Sequence, residues 1–107
     1  FKGGAVMHKE VKTEAELKDA IATGKVLLDF WATWCGPCQM MARAIADELE
    51  PRMPDLTIVK VNVDEAPELA AKFGVMSIPA LFCYNNGAKT AEFVGVTPVS
   101  SIAAAFN

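Results

Sequence analysis

The run Val26-Leu27-Leu28-Asp29-Phe30-Trp31 constrains the fold more than any other stretch of the chain. It is apolar at nearly every position, so both faces of the strand it forms need cover. Such a strand belongs inside a sheet that has helices packed on both sides. Asp29 interrupts the pattern. A buried carboxylate is costly, and desolvation raises its pKa. Two readings follow: an aspartate at an exposed strand edge, or a buried general base serving a nearby reaction. Lys60 interrupts Leu56–Val63 in the same way. It reads either as a solvated strand residue or as the charge partner that makes Asp29 tolerable.

The elements around this strand alternate. Ala5–His8 reads as a short first strand. Thr13-Glu14-Ala15-Glu16 has the pattern of a capping box, and Leu17, Ala20 and Ile21 continue it at helical spacing up to Gly24. After the central strand, Cys38, Met41, Ala42, Ile45 and Leu49 form one stripe of a helix, with Glu48 and Glu50 off it and Pro51 and Pro54 marking its end. Leu56–Val63 is β-rich. Glu68–Phe73 is a short helix opened by Pro67 and closed by Gly74. Ala80–Tyr84 and Lys89–Val94 flank Asn85-Asn86-Gly87-Ala88, a hairpin with a Gly-containing turn. Val99–Phe106 is a final helix. The order β-α-β-α-β-α-β-β-α implies right-handed crossovers between parallel strands, then an antiparallel end.

The chain has 107 residues, which fits one domain over 1–107. That length buries roughly 65% of the unfolded surface, enough for a core without staples or metal. A hydrophobic fraction of 52% agrees. The net charge of −3 offers no footprint for nucleic acid and no polybasic membrane anchor. No apolar run approaches the roughly 18 residues of a spanning helix. Three cysteines, Cys35, Cys38 and Cys83, suit a reducing compartment better than a disulfide-dense scaffold.

Cys35 and Cys38 stand two residues apart where the second helical stretch begins after Trp31 and Trp34. A structural zinc needs four ligands, and beyond this pair there is one more cysteine and one histidine, His8. A staple across so short a loop is worth only about 2 kcal/mol. On a helix, i and i+3 hold their Cβ atoms about 5–6 Å apart, against about 3.5–4.5 Å in a disulfide, so the first turn deforms or the bond is labile. Reversible redox chemistry fits better. Pro37 belongs in a first helical turn. Cys35 then meets free backbone N–H groups and the positive end of the helix dipole. Those favour thiolate over a thiol that is ordinarily only about 3% ionised at pH 7. Cys38, one turn deeper, stays protonated until it is needed. In the exchange this predicts, Cys35 attacks a substrate disulfide and Cys38 resolves the mixed disulfide.

LLDFWATWCGPC, VKVNVDEAPELAAKFGV, MSIPALFCYNNG and FVG near the end together resemble the thioredoxin family over essentially the whole chain. The resemblance implies a mixed five-stranded central sheet flanked by four helices, the thioredoxin fold in the α/β class. It implies a protein-disulfide reductase acting as a soluble, monomeric, cytoplasmic electron carrier with no bound cofactor. Its electrons would come from NADPH through a flavin-containing thioredoxin reductase, and its partners would be that reductase and disulfide-containing substrate proteins. Carried over by position, Cys35 matches the nucleophile, Cys38 the resolving thiol, Asp29 the buried acid and Lys60 its partner. Pro79, after Ser77 and Ile78, matches a cis-proline facing the disulfide, with the Ile78 backbone free to pair with an extended substrate. Trp34, Gly36, Pro37, Val94 and Gly95 match the flat docking surface, and Trp31 packs beneath it. Cys-Gly-Pro-Cys lies at the reducing end of the family.

Three positions depart from the pattern. Arg43 stands where the family commonly has a helix-kinking proline, so a less kinked helix is expected, with Arg43 able to pair with Asp47 at i,i+4. Gln39 replaces a cation, and Ala80 a threonine after the cis-proline. Cys83 reads as a small buried hydrophobe. His8 has no evident partner. Two other functions compete: a thioredoxin-like protein of one extracytoplasmic pathway, and a binding subunit that uses the flat face without redox chemistry.

Overall fold

The VLLDFW run forms the middle of the sheet. In the computed structural model, which describes residues 7–106, β2 (Lys25–Trp31) is buried at all five inner positions. It pairs in parallel with β3 (Thr57–Asn62) on one side and antiparallel with β4 (Ala80–Asn85) on the other. β1 (Met7–Glu10) lies parallel to β3 at one edge, and β5 (Ala88–Val94) antiparallel to β4 at the other. The strand order is β1-β3-β2-β4-β5. The expected mixed five-stranded sheet is therefore present. Its first strand is described over Met7–Glu10, two residues past the expected end at His8; Ala5 and Val6, the start of the expected strand, lie outside the described residues.

Alternation along β2 divides the core in two. Val26, Leu28 and Phe30 face one layer with Leu17 and Ala20 of α1 (Glu14–Ile21) and Leu69 and Ala70 of α4 (Pro67–Lys72). There Phe30 packs against Phe73 and Phe82 with ring centroids 5.6 Å away in each case. Leu27 faces the other layer, with Met41 of α2 (Gly36–Ala44), Leu49, and Ile102 of α5 (Val99–Ala104). The helix after the cysteines runs on from α2 through a π-wound turn, Ile45–Leu49, into α3 (Glu50–Arg52). Counting that run once gives the four expected helical bodies.

Local chemistry sets the boundaries. The Glu16 N–H donates to Thr13 Oγ1 and the Thr13 N–H to Glu16 Oε1, each at 3.1 Å, so the capping box is complete. At the hairpin, Asn86 and Gly87 both have positive φ, 52° and 85°, as a two-residue primed turn requires. A side chain on Gly87 would place its Cβ 3.3 Å from the Ala22 carbonyl oxygen.

Arg43 sits within regular α-helix, and the departure from α winding begins two residues later. No break falls at Arg43, as expected of a helix without the proline; the π winding from Ile45 is a separate feature that the sequence does not announce. The wider winding also spoils the i,i+4 alignment of Arg43 with Asp47. Among the described residues these two do not form an ion pair.

Candidate active site

Cys35 is the N-cap of α2, and its extended backbone (φ −89°, ψ 107°) places it just outside the helix. This lets the pair close without unwinding the first turn: Cys35 and Cys38 are joined as a disulfide with Cα atoms 5.2 Å apart. The Cys38 N–H donates to Cys35 Sγ at 3.1 Å. One of the helix's orphan donors thus already points at the sulfur on which charge would develop after reduction. Both cysteines are buried, within a small cluster that includes Ala32, Trp31, Val63 and Ile78.

Three segments meet at the disulfide. The first is the loop into α2. Gln39 Nε2 donates to the Thr33 carbonyl at 2.9 Å, so the residue that replaces a cation braces this loop. Trp34 is 67% exposed, with its indole N–H donated to Asp64 Oδ2 at 2.7 Å. The second is the turn before β4, where Ile78–Pro79 is cis and the Ile78 carbonyl oxygen lies 3.9 Å from Cys35 Sγ. The third is the end of β5, where the Gly95 N–H donates to the Pro79 carbonyl at 2.8 Å. Gly36, Pro37 and Val94 are exposed around them. A groove of about 390 Å³ lined by Trp34, Val63, Val75, Met76 and Ile78 runs off this surface, and Met76 is 96% exposed.

Asp29 lies in the central strand and is 3% exposed, which removes the strand-edge reading. Its Oδ1 is buried without a hydrogen-bond partner. Burial pushes its pKa up to about 6; the Lys60 charge opposes that rise and Glu10 adds to it. Lys60 is half-buried and directly opposite Asp29 in the β2–β3 register. Among the described residues the two form no direct ion pair. Lys60 Nζ instead sits 4.5 Å from the centroid of the Trp31 ring, a cation–π contact. Lys60 thus acts on Asp29 as a charge partner at a distance, while its head rests on an aromatic face. Cys83 is fully buried in β4, with its thiol pushed up to about 11 by desolvation. His8, for which the sequence shows no evident partner, pairs its Nε2 with Glu50 Oε2 at 3.1 Å.

Sequence reasoning missed Asp64, Met76 and the His8–Glu50 pair. The Trp34–Asp64 and His8–Glu50 contacts join residues 30 and 42 positions apart, beyond any local pattern. Met76 next to Ser77-Ile78-Pro79 carries a weak signal, being a large apolar residue in a turn. Among the described residues no group of three or more His, Cys, Asp or Glu side chains is arranged to hold a metal ion. No described helix is long and apolar enough to cross a membrane.

Comparison with known proteins agrees with this geometry. The thioredoxin family model matches residues 8–107. Thioredoxin from Listeria monocytogenes is 46% identical over 92 residues, covering 86% of this chain and 88% of that protein. Thioredoxin from Alicyclobacillus acidocaldarius is 42% identical over 93 residues, covering 86% and 89%. Among solved structures, a mutant thioredoxin from Halobacterium salinarum superposes with a TM-score of 0.81 at 31% identity, covering 94% of this chain and 88% of that one. Oxidised mitochondrial thioredoxin 3 from Saccharomyces cerevisiae gives 0.81 at 27% identity, covering 94% and 92%. The chain belongs to the thioredoxin family, and its Cys35–Cys38 pair makes it a thiol-disulfide oxidoreductase.

Proposed function

We propose that the chain reduces protein disulfides, with Cys35 as nucleophile and Cys38 as resolving thiol. The observation that carries this reading is the Cys38 N–H aimed at Cys35 Sγ from the first turn of α2. Once the pair is reduced, that donor and the helix dipole favour a thiolate at Cys35. The thiolate attacks one sulfur of a substrate disulfide, forming a mixed disulfide and releasing the other sulfur as a thiolate. Asp29, its pKa raised to about 6 by burial, takes the Cys38 proton. The Cys38 thiolate then attacks Cys35 Sγ and expels the second substrate thiolate. Two electrons have passed to the substrate, its two sulfurs take up protons from solvent, and the Cys35–Cys38 disulfide remains.

Lys60 holds positive charge beside the acid and keeps its proton affinity from rising further. Trp34, Gly36, Pro37, Val94 and Gly95 supply a docking surface around the sulfurs, and the Ile78 backbone beside Pro79 pairs with an extended substrate segment. The apolar groove past Met76 suits a hydrophobic side chain flanking the substrate cysteine. A flavin-containing thioredoxin reductase drawing on NADPH returns the pair to the dithiol. A monomer in the cytoplasm suits this role, and the free, buried Cys83 thiol fits such a reducing compartment.

NADPH oxidation followed with a thioredoxin reductase and insulin tests the reading. Turnover is expected with the wild type; a rate no greater than that of Cys35→Ser would sink it.

A further inference from the structure

The sheet face that carries Asp29 also carries a row of charge. Asp29 is opposite Lys60, and Lys60 is opposite Glu10, so acid, base and acid cross β2, β3 and β1. His8 lies two residues before Glu10, on the same face and opposite Ile58. The long helix packs over this corner. Ala42, Ala46 and Glu50 from the helix, with His8, Lys60 and Asp29 from the sheet, bound a cavity of about 110 Å³. That is room for several waters.

The inner end of the cavity is the Asp29 carboxylate, whose buried Oδ1 has no hydrogen-bond partner. His8 and Glu50 meet at its outer end, with side chains 52% and 21% exposed. The π winding helps bring Glu50 there. Its N–H donates to the carbonyl of Ile45, five residues back, so Glu50 comes round over the cavity instead of lying off the inward face.

We propose that the His8–Glu50 pair is a lid on this cavity and that, by limiting solvent access to Asp29, it sets how tightly the buried acid holds its proton. The proposal rests on the reading of Asp29 as proton acceptor and makes His8 and Glu50 positioning residues. The charged and titratable groups on this side of Asp29 are Lys60 from β3, Glu10 and His8 from β1, and Glu50 from the helix; β4 presents the apolar Leu81. Desolvation is the largest cause of its raised pKa, so the degree of solvent access acts on the dominant contribution.

The test is an NMR titration of the Asp29 carboxyl in the reduced protein, together with the pH profile of mixed-disulfide resolution. His8→Ala opens the lid. The Asp29 midpoint should fall by about 0.5 pH or more, because water then solvates the carboxylate. His8→Gln, which keeps a donor for Glu50, should restore most of the wild-type value. Ala46→Leu, at an exposed helical position on the rim, should fill the opening and move the midpoint upward. In each variant the resolution profile should shift with the Asp29 midpoint. Equal midpoints in the wild type, His8→Ala and Ala46→Leu would overturn the lid. A shifted midpoint with an unshifted resolution profile would support the lid and overturn the base role of Asp29, so the two failures are distinguishable.

Discussion

Replacing Asp29 with asparagine should stabilise the protein at pH 8 and lose that advantage by pH 4. The carboxyl is held at about 6 in the folded chain, against an ordinary value of 3.8. Two pH units of difference correspond to about 3 kcal/mol. The folded state binds this proton more tightly than the unfolded state. Above pH 6 the fold must therefore carry a buried charge that the unfolded chain solvates, and the full penalty is present. As pH falls from 6 towards 3.8 the folded protein takes up the proton first, and the penalty disappears. Below 3.8 both states are protonated and Asp29 contributes no further dependence. Asparagine resembles the protonated acid at every pH. Urea unfolding of the oxidised wild type and Asp29→Asn should thus differ by about 3 kcal/mol at pH 8 and by little at pH 4. The m-values should match. A stability difference that is constant across this range, or a variant less stable at pH 8, would refute the reasoning. The same substitution should slow resolution by Cys38 near neutral pH, so stability and activity move in opposite directions at one residue.

Other substitutions probe the scaffold and the remaining thiol. Phe30→Ala removes a fully buried ring packed on Phe73 and Phe82 and should cost about 3–5 kcal/mol in the same unfolding assay; a loss under about 1 kcal/mol would contradict that packing. Arg43→Pro places a proline inside regular α-helix and should cost about 3 kcal/mol. If it proves neutral, the helix already lacks the hydrogen bond that Arg43 is expected to donate. In a Cys35→Ser, Cys38→Ser variant, the fully buried Cys83 should resist a thiol reagent at pH 8 and react once the chain is denatured. Rapid modification of the native protein would show that β4 opens readily.

Much of this architecture is legible because it is local. The capping box at Thr13, the apolar run of β2 and the Asn86-Gly87 turn each carry their signal within a few residues, and each forms where the pattern places it. The Cys35–Cys38 chemistry is legible for the same reason: spacing, Pro37 and a helix start lie together. What is not legible depends on register and on helix winding. Nothing in the neighbourhood of His8 announces Glu50, because their meeting needs β1 at the sheet edge and a π turn far along the chain. Arg43 and Asp47 have the spacing of an ion pair, and the same π turn takes them out of alignment. Lys60 is identifiable as a charge near Asp29, but its rest on Trp31 depends on both residues facing one side of the sheet.

The central claim is that Cys35 is the sulfur that meets the substrate. Intact-protein mass spectrometry after mixing reduced Cys38→Ser with a disulfide substrate tests it most directly. The expected result is a stable adduct carrying one substrate disulfide-linked through Cys35, and no comparable adduct with Cys35→Ser. An adduct that forms in Cys35→Ser through Cys38, with none in Cys38→Ser, would contradict it.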